Sequence, residues 1–159
     1  MEAGEGLDLG RKAPLFEEQL NLLYDSKCSV CRWEVVMLIS LGAKRKVIFT
    51  DIEDVSFDPS SPKNGGVSYE VAMASMTAVT RGGEILVGVP VFELLYQQVG
   101  LGWLFAATHL PVVGAIVRKA YQLFATFRTD VTRGKSLQEI FAERQAAAAE
   151  CEECRARES

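Results

Sequence analysis

Cys28 and Cys31 are the residues of this chain whose type and spacing are best suited to chemistry. They stand in Tyr24-Asp25-Ser26-Lys27-Cys28-Ser29-Val30-Cys31, two thiols three positions apart. On the first turn of a helix that spacing lets two sulfurs meet without unwinding the helix. Unpaired backbone N–H groups and the positive end of the helix dipole stabilise a thiolate there, which depresses the pKa of a cysteine so placed. Lys27 adds a neighbouring positive charge. The expected division of labour makes Cys28 the exposed attacking thiolate and Cys31, one turn further in, the resolving thiol. Cys28 would open a substrate disulfide and form a mixed disulfide, which Cys31 would then resolve, releasing reduced product. Whether such a pair reduces or oxidises depends on its potential. The same spacing also serves as half of a tetrahedral zinc site. Here the other two cysteines, Cys151 and Cys154, lie at the far end of the chain, and the first pair follows a strand and opens a helix rather than sitting in a glycine-rich turn. Redox chemistry fits that placement better.

Asp25 and Asp51 each end an expected strand at the edge that carries the dithiol, the edge where open α/β sheets place their sites. Either could accept the proton of Cys31, and either could simply hold a turn or cap a helix. Trp33 could shield Cys31 or pack in the core. His109, the single histidine, reads as structural. Cys151 and Cys154 sit among Glu150, Glu152 and Glu153, whose charges oppose a thiolate, so they read as accessory or incidental. Arg118, Lys119, Arg128, Arg133 and Lys135 make the C-terminal half locally basic, either a solvated face or a site for an acidic partner or an anionic membrane.

The elements that must position the dithiol are legible in the pattern. Residues 19–25 and 46–52 are short apolar runs that read as buried strands. Between them, residues 29–41 are apolar on nearly every side and read as a buried helix, stopped by Gly42 and followed by Lys44, Arg45 and Lys46. Residues 53–68 hold Pro59, Pro62, Gly65 and Gly66 and read as a long, mobile loop. Residues 69–75 allow two helical turns. Residues 76–80 and 84–88 flank Arg81-Gly82-Gly83, a hairpin signature. Pro90 then starts a helix that Gly100 ends. Strand–helix–strand followed by strand–strand–helix is the order of a thioredoxin-like α/β fold with a mixed sheet of about four strands.

Beyond it the chain reads as helical. Val113, Ile116, Val117, Ala120, Phe124 and Phe127 form a stripe expected to face the core. Ser136 and Glu139 form a capping box for a last helix. The expected division is a flexible segment over 1–18, a thioredoxin-like core over 19–100, a helical extension over 101–145, and a frayed or disordered tail over 146–159.

With 159 residues, 48% of them apolar and 24% charged, the chain can bury a core without disulfides. A net charge of −4 argues against nucleic acid as a partner. Four cysteines in two pairs suit a reducing compartment better than a secreted scaffold. Residues 1–11 lack the marks of a secretory or transit peptide. Residues 101–117 are the most apolar stretch but contain His109 and Pro111 and fall short of the ~20 residues of a spanning helix, so they are expected to be buried or surface-docked. No residue is assigned to a metal or a cofactor.

At Asp25, Cys28 and Cys31 the chain resembles the DCC family, named for an Asp-x-x-Cys-x-x-Cys motif after the first strand. The likeness runs from about Leu20 to Gln145 and includes GVPVFELLYQQVGLGW at Gly88–Trp103. It looks nearest to versions from photosynthetic organisms. The resemblance implies a thioredoxin-like fold and thiol-disulfide exchange through Cys28 and Cys31, with Asp25 as a third site residue. It also implies a protein or small-molecule disulfide as substrate, a thiol electron donor, and a plastid or cytoplasmic setting. Two departures stand out. Thioredoxins place a cis-proline facing the dithiol, and here that position falls near Ser75 and Met76. Ser26 stands where the family commonly has glycine. The missing proline and the long C-terminal half favour an alternative, a non-catalytic module that docks to a larger complex or a membrane surface.

Overall fold

The computed structural model describes residues 13–158. Residues 1–12, most of the segment expected to be flexible, lie outside the described residues. Four strands form one mixed sheet: β1 (Leu20–Tyr24), β2 (Val47–Asp51), β3 (Thr77–Thr80) and β4 (Ile85–Val87), in the order β2-β1-β3-β4. β1 runs parallel to β2 and antiparallel to β3, and β3 pairs antiparallel with β4 across the Arg81–Gly83 turn. Between and after the strands come α1 (Ser29–Ser40), α2 (Tyr69–Ala74), α3 (Val89–Gln98), α4 (Pro111–Arg133) and α5 (Leu137–Glu158). This is the thioredoxin-like order, extended by two C-terminal helices.

Side-chain alternation along the strands splits the core in two. Leu20, Leu22 and Ala78 point to one face, where Val35 and Leu38 of α1 and Val91 and Leu95 of α3 cover them. Leu23 and Val79 point to the other, where Tyr69, Ala72 and Met73 of α2 and Ile140 of α5 pack with Ile52 and Val67. β1 is central and therefore apolar throughout, except for Asn21. That side chain is wholly buried and fully employed: it donates to the Lys63 carbonyl and to Asn64 Oδ1 and accepts from Thr50 Oγ1. Asn64, also buried, donates in turn to the Asp58 carbonyl at 2.7 Å.

The 53–68 connection, expected to be a mobile loop, is instead a packed one. Asp54 and Asp58 each fold the chain back through Ser56 and Ser60, a 3₁₀ turn runs over Pro62–Asn64, and the Asn21–Asn64 bond ties it to the sheet. Proline and glycine set its turns; buried amides hold it down.

α1 also departs from expectation. Only Cys31, Glu34, Val35 and Leu38 are buried, while Val30, Trp33 and Val36 are exposed, Trp33 by 64%. Trp33 therefore does not pack in the core. The stripe on α4 is likewise turned outward: Ile116, Phe124 and Phe127 are 63%, 44% and 53% exposed. The inward side of α4 is made of Gly114, Ala125, Arg128 and Thr129, because the surface it meets offers backbone groups and carboxylates as well as apolar side chains. Gly114 is required there, since a Cβ would overlap the Thr108 carbonyl oxygen. Residues 102–109 form a 3₁₀ segment ending at His109, whose Nε2 lies 2.8 Å from Glu93 Oε1. The 101–117 stretch is thus surface-docked, and no helix among the described residues is long and apolar enough to cross a membrane. α5 begins at the Ser136–Glu139 capping box and continues as an exposed helix through Glu158.

Asn64→Ala would leave the Asn21 amide and the Asp58 carbonyl short of a partner in a buried setting. The expected cost is about 1–3 kcal/mol, read as a lower urea midpoint with an unchanged slope.

Candidate active site

Cys28 is the N-cap residue of α1, in extended conformation, and its Sγ accepts the Cys31 N–H at 3.2 Å. The turn that delivers it is held by aspartates. Asp25 Oδ1 accepts the Lys27 N–H at 2.9 Å and the Asp25 carbonyl accepts the Cys28 N–H. Asp51 Oδ1, at the end of the adjacent parallel strand, accepts the N–H groups of Ser26 and Glu53. Cys28 and Cys31 are joined as a disulfide, their Cα atoms 5.3 Å apart. Cys151 and Cys154 are free thiols, exposed on α5.

Burial departs from the expected picture. Cys28 is 0% exposed and Cys31 3%, so the expected exposed thiolate at Cys28 is covered in this structure. Alongside lies α4, which brings Tyr121, Phe124 and Arg128 beside Cys31 and is anchored at three points. Near its middle, Tyr121 places its hydroxyl 2.9 Å from the Met76 N–H, which donates to it, and 3.1 Å from Ser75 Oγ. Arg128, buried, donates to the Met73 carbonyl. At its end, Arg133 Nη1 lies 3.2 Å from Asp25 Oδ2 and 3.0 Å from Glu53 Oε1. Tyr121 also needs Gly88, where φ is +78° and a Cβ would come 3.1 Å from the ring. Ser75 and Met76, where thioredoxins carry the cis-proline, are therefore one of the anchors of α4, and no cis peptide bond occurs among the described residues.

The basic cluster read from the sequence thus divides. Arg128 and Arg133 point inward, Lys135 pairs with Glu143 at 2.6 Å, and Arg118 and Lys119 are exposed. Lys27, expected to assist a thiolate, lies 2.7 Å from Glu53 Oε2, so its charge is already matched.

Two acidic residues not singled out from sequence complete the surroundings. Glu53 gathers Lys27, Arg133 and the Tyr69 hydroxyl. Burial pushes its carboxyl up, but these three hydrogen bonds and the Arg133 charge outweigh burial and hold it at about 2. Tyr69 is pushed up to about 12 by burial and by its bond to Glu53. Glu34 is the other. It is the single acidic residue of α1, three positions after Cys31 and on the same side, a spacing that marks it in the sequence. It is 9% exposed, and its Oε1 is buried with no protein donor. Burial raises its pKa, against a hydrogen bond from Tyr96 of α3.

Two outcomes follow. With Cys28 covered and Cys151 and Cys154 exposed, iodoacetamide added to the reduced protein should label the C-terminal pair at least tenfold faster, measured by peptide mass spectrometry; equal rates would mean that α4 does not stay across the site. Glu53 titrates lower in the folded chain than its usual value of about 4.3, so its contribution is complete above that value and is lost as pH falls toward about 2. Glu53→Gln should therefore be less stable than wild type at neutral pH, with the gap closing through that acid window in urea titrations.

Residues 22–134 match the DCC1-like thiol-disulfide oxidoreductase family. An uncharacterized chloroplastic protein of Arabidopsis thaliana is 32% identical over 123 residues, 77% of this chain and 56% of that protein. The chain spans about half the length of the curated relative it matches. No solved structure matches it. The matched region begins inside β1 and ends just past Arg133, so it takes in the dithiol together with the helix that covers it: the chain belongs to the DCC1-like thiol-disulfide oxidoreductase family.

Proposed function

We propose that the protein exchanges disulfides through Cys28 and Cys31, with Cys28 attacking and Cys31 resolving. The observation that carries this reading is the capping position of Cys28. A sulfur that accepts a backbone N–H at the positive end of a helix is the one better able to hold negative charge, either as attacking thiolate or as leaving group. Cys31, inside the first turn, is placed to attack the sulfur of Cys28 once the latter is joined to a substrate. Asp25 belongs to the site as a positioning residue. Its two oxygens serve the Lys27 N–H and the Arg133 guanidinium, which favours a role in holding the turn over one as a base.

The substrate class is a protein or small-molecule disulfide, with a thiol as electron donor. The chloroplastic relative favours a plastid setting over a cytoplasmic one. A second reading has its own observation: Trp33, Val36, Ile116, Leu123 and Phe127 expose an apolar surface on α1 and α4, which suits a module docked to a larger complex.

In a coupled assay on oxidised glutathione or a disulfide-bonded protein, Cys28→Ser should reduce turnover to background. Cys31→Ser should accumulate a mixed disulfide visible as an intact-mass adduct. If both variants match the wild type, exchange through this pair is excluded and the docking reading stands.

A further inference from the structure

Beside Cys31 lies a small recess of about 40 Å³, bordered by Cys31, Glu34, Met76, Tyr121 and Arg128 and flanked on its solvent side by the half-exposed Val30 and Phe124. It is mostly apolar, yet two of the side chains that line it carry a buried polar atom with no protein partner, Glu34 Oε1 and Arg128 Nε. Such groups are costly to leave unsatisfied, and a cavity above roughly 10–15 Å³ with polar partners accommodates a water molecule. The space therefore suits a water held between a carboxylate, a guanidinium and the sulfur of the resolving cysteine.

We propose that Glu34 is the proton acceptor of the resolving step, acting on the Cys31 thiol through a water in this cavity. The inference rests on the exchange function assigned to Cys28 and Cys31 and names the residue that serves the second half of it. In the mixed disulfide, Cys31 carries a proton and must lose it to become a nucleophile. The Cys31 S–H bond breaks and its proton passes through the water to the Glu34 carboxylate. The Cys31 thiolate attacks Cys28 Sγ, a Cys28–Cys31 bond forms, and the bond from Cys28 to the substrate sulfur breaks. The substrate leaves as a thiolate and is protonated from solvent, and Glu34 later releases its proton to solvent. Two electrons pass from the dithiol to the substrate, so no further reactant is needed.

The surroundings suit Glu34 to this task. A base is most effective when its pKa approaches the operating pH, and burial moves Glu34 in that direction while Tyr96 holds it back. Tyr96 of α3 bonds Glu34 directly, and the polar or titratable groups that line the recess with it are Tyr121 and Arg128 from α4 and Cys31 on its own helix. Arg128 also feels the charges of Asp25 and Arg133. Asp25, the acid nearest in sequence, already serves a backbone N–H and a guanidinium, whereas Glu34 has an oxygen to spare.

The test uses the full chain with Cys151→Ser and Cys154→Ser, reduced and mixed with dithiobis-nitrobenzoate in a stopped-flow spectrometer between pH 5 and 9. The first release of nitrothiobenzoate reports attack by Cys28, and the second reports resolution by Cys31. In Glu34→Gln, which keeps the size of the side chain, the first release should keep its wild-type pH profile. The second should slow at least tenfold at pH 7 and rise in proportion to hydroxide, without the inflection that the carboxyl contributes. Glu34→Asp should recover part of the rate. A second release with the wild-type profile in Glu34→Gln would overturn the proposal and leave the exchange reading standing. If Asp25→Asn, and not Glu34→Gln, removes the inflection, the proton goes to Asp25 and the proposal also fails. Absence of both releases from Cys28 and Cys31 in the parent protein would overturn the exchange reading itself.

Discussion

The contact of Arg133 with Asp25 and Glu53 ties the C-terminal half of the chain to the dithiol turn. Asp25 is almost wholly buried at the end of β1, and Glu53 sits where the chain leaves β2. Two carboxylates at one sheet edge repel each other and resist burial, and they are tolerated only with a cation between them. The Arg133 guanidinium, whose side chain is 10% exposed, is that cation, and Lys27 supports it from the solvent side. Losing the guanidinium alone would strand the buried Asp25 and leave Glu53 to Lys27 and Tyr69, and removing one partner of a buried pair costs about 3–5 kcal/mol. The geometry of the Asp25 turn, and with it the placement of Cys28 at the start of α1, therefore depends on a residue more than a hundred positions away.

That dependence explains why α4 presents an unusual inward face. A helix docked only by hydrophobic burial would turn Ile116, Phe124 and Phe127 to the core, as their spacing suggests. α4 instead turns in Tyr121, Arg128 and Arg133, which meet a backbone N–H, a backbone carbonyl and two carboxylates. Polar contacts of this kind are specific in register, because each donor must find its acceptor. They leave the apolar stripe beside the covered dithiol rather than in it.

The sheet, its hairpin and the helix boundaries were legible because each is set by local signals. Gly42 stops α1, Gly83 turns the hairpin, and the Ser136–Glu139 box starts α5. Cys28 and Cys31 were legible for the same reason, since strand end, motif and helix start are contiguous. What escaped the sequence is set by contacts between distant segments. Trp33 and Val36 belong to a run apolar on every side, and nothing local tells which side faces the sheet. Arg133 and Glu53 look like surface charges until the fold brings them together. Glu34 did leave a signal, one acid in an otherwise apolar helix at the spacing that aligns it with Cys31, but that signal gains meaning only once the burial of its unpartnered oxygen is known.

The missing proline at Met76 and the covering helix are one feature seen from two sides. A proline has no N–H, so a proline at Met76 would leave the Tyr121 hydroxyl without the donor it accepts from. Because Met76 carries an N–H, this backbone position can bind Tyr121 of the same chain, and Gly88 leaves room for the ring. A fold with proline here must meet the facing surface of the dithiol with something other than such a bond. Substituting methionine for proline therefore commits this edge of the sheet to the chain's own helix. Access to Cys28 then depends on the strength of three polar anchors, at Met76, at Met73 and at the Asp25–Glu53 pair. All three are contacts of α4 with the core, so any movement that uncovers the sulfurs must loosen the same helix that keeps the turn in place.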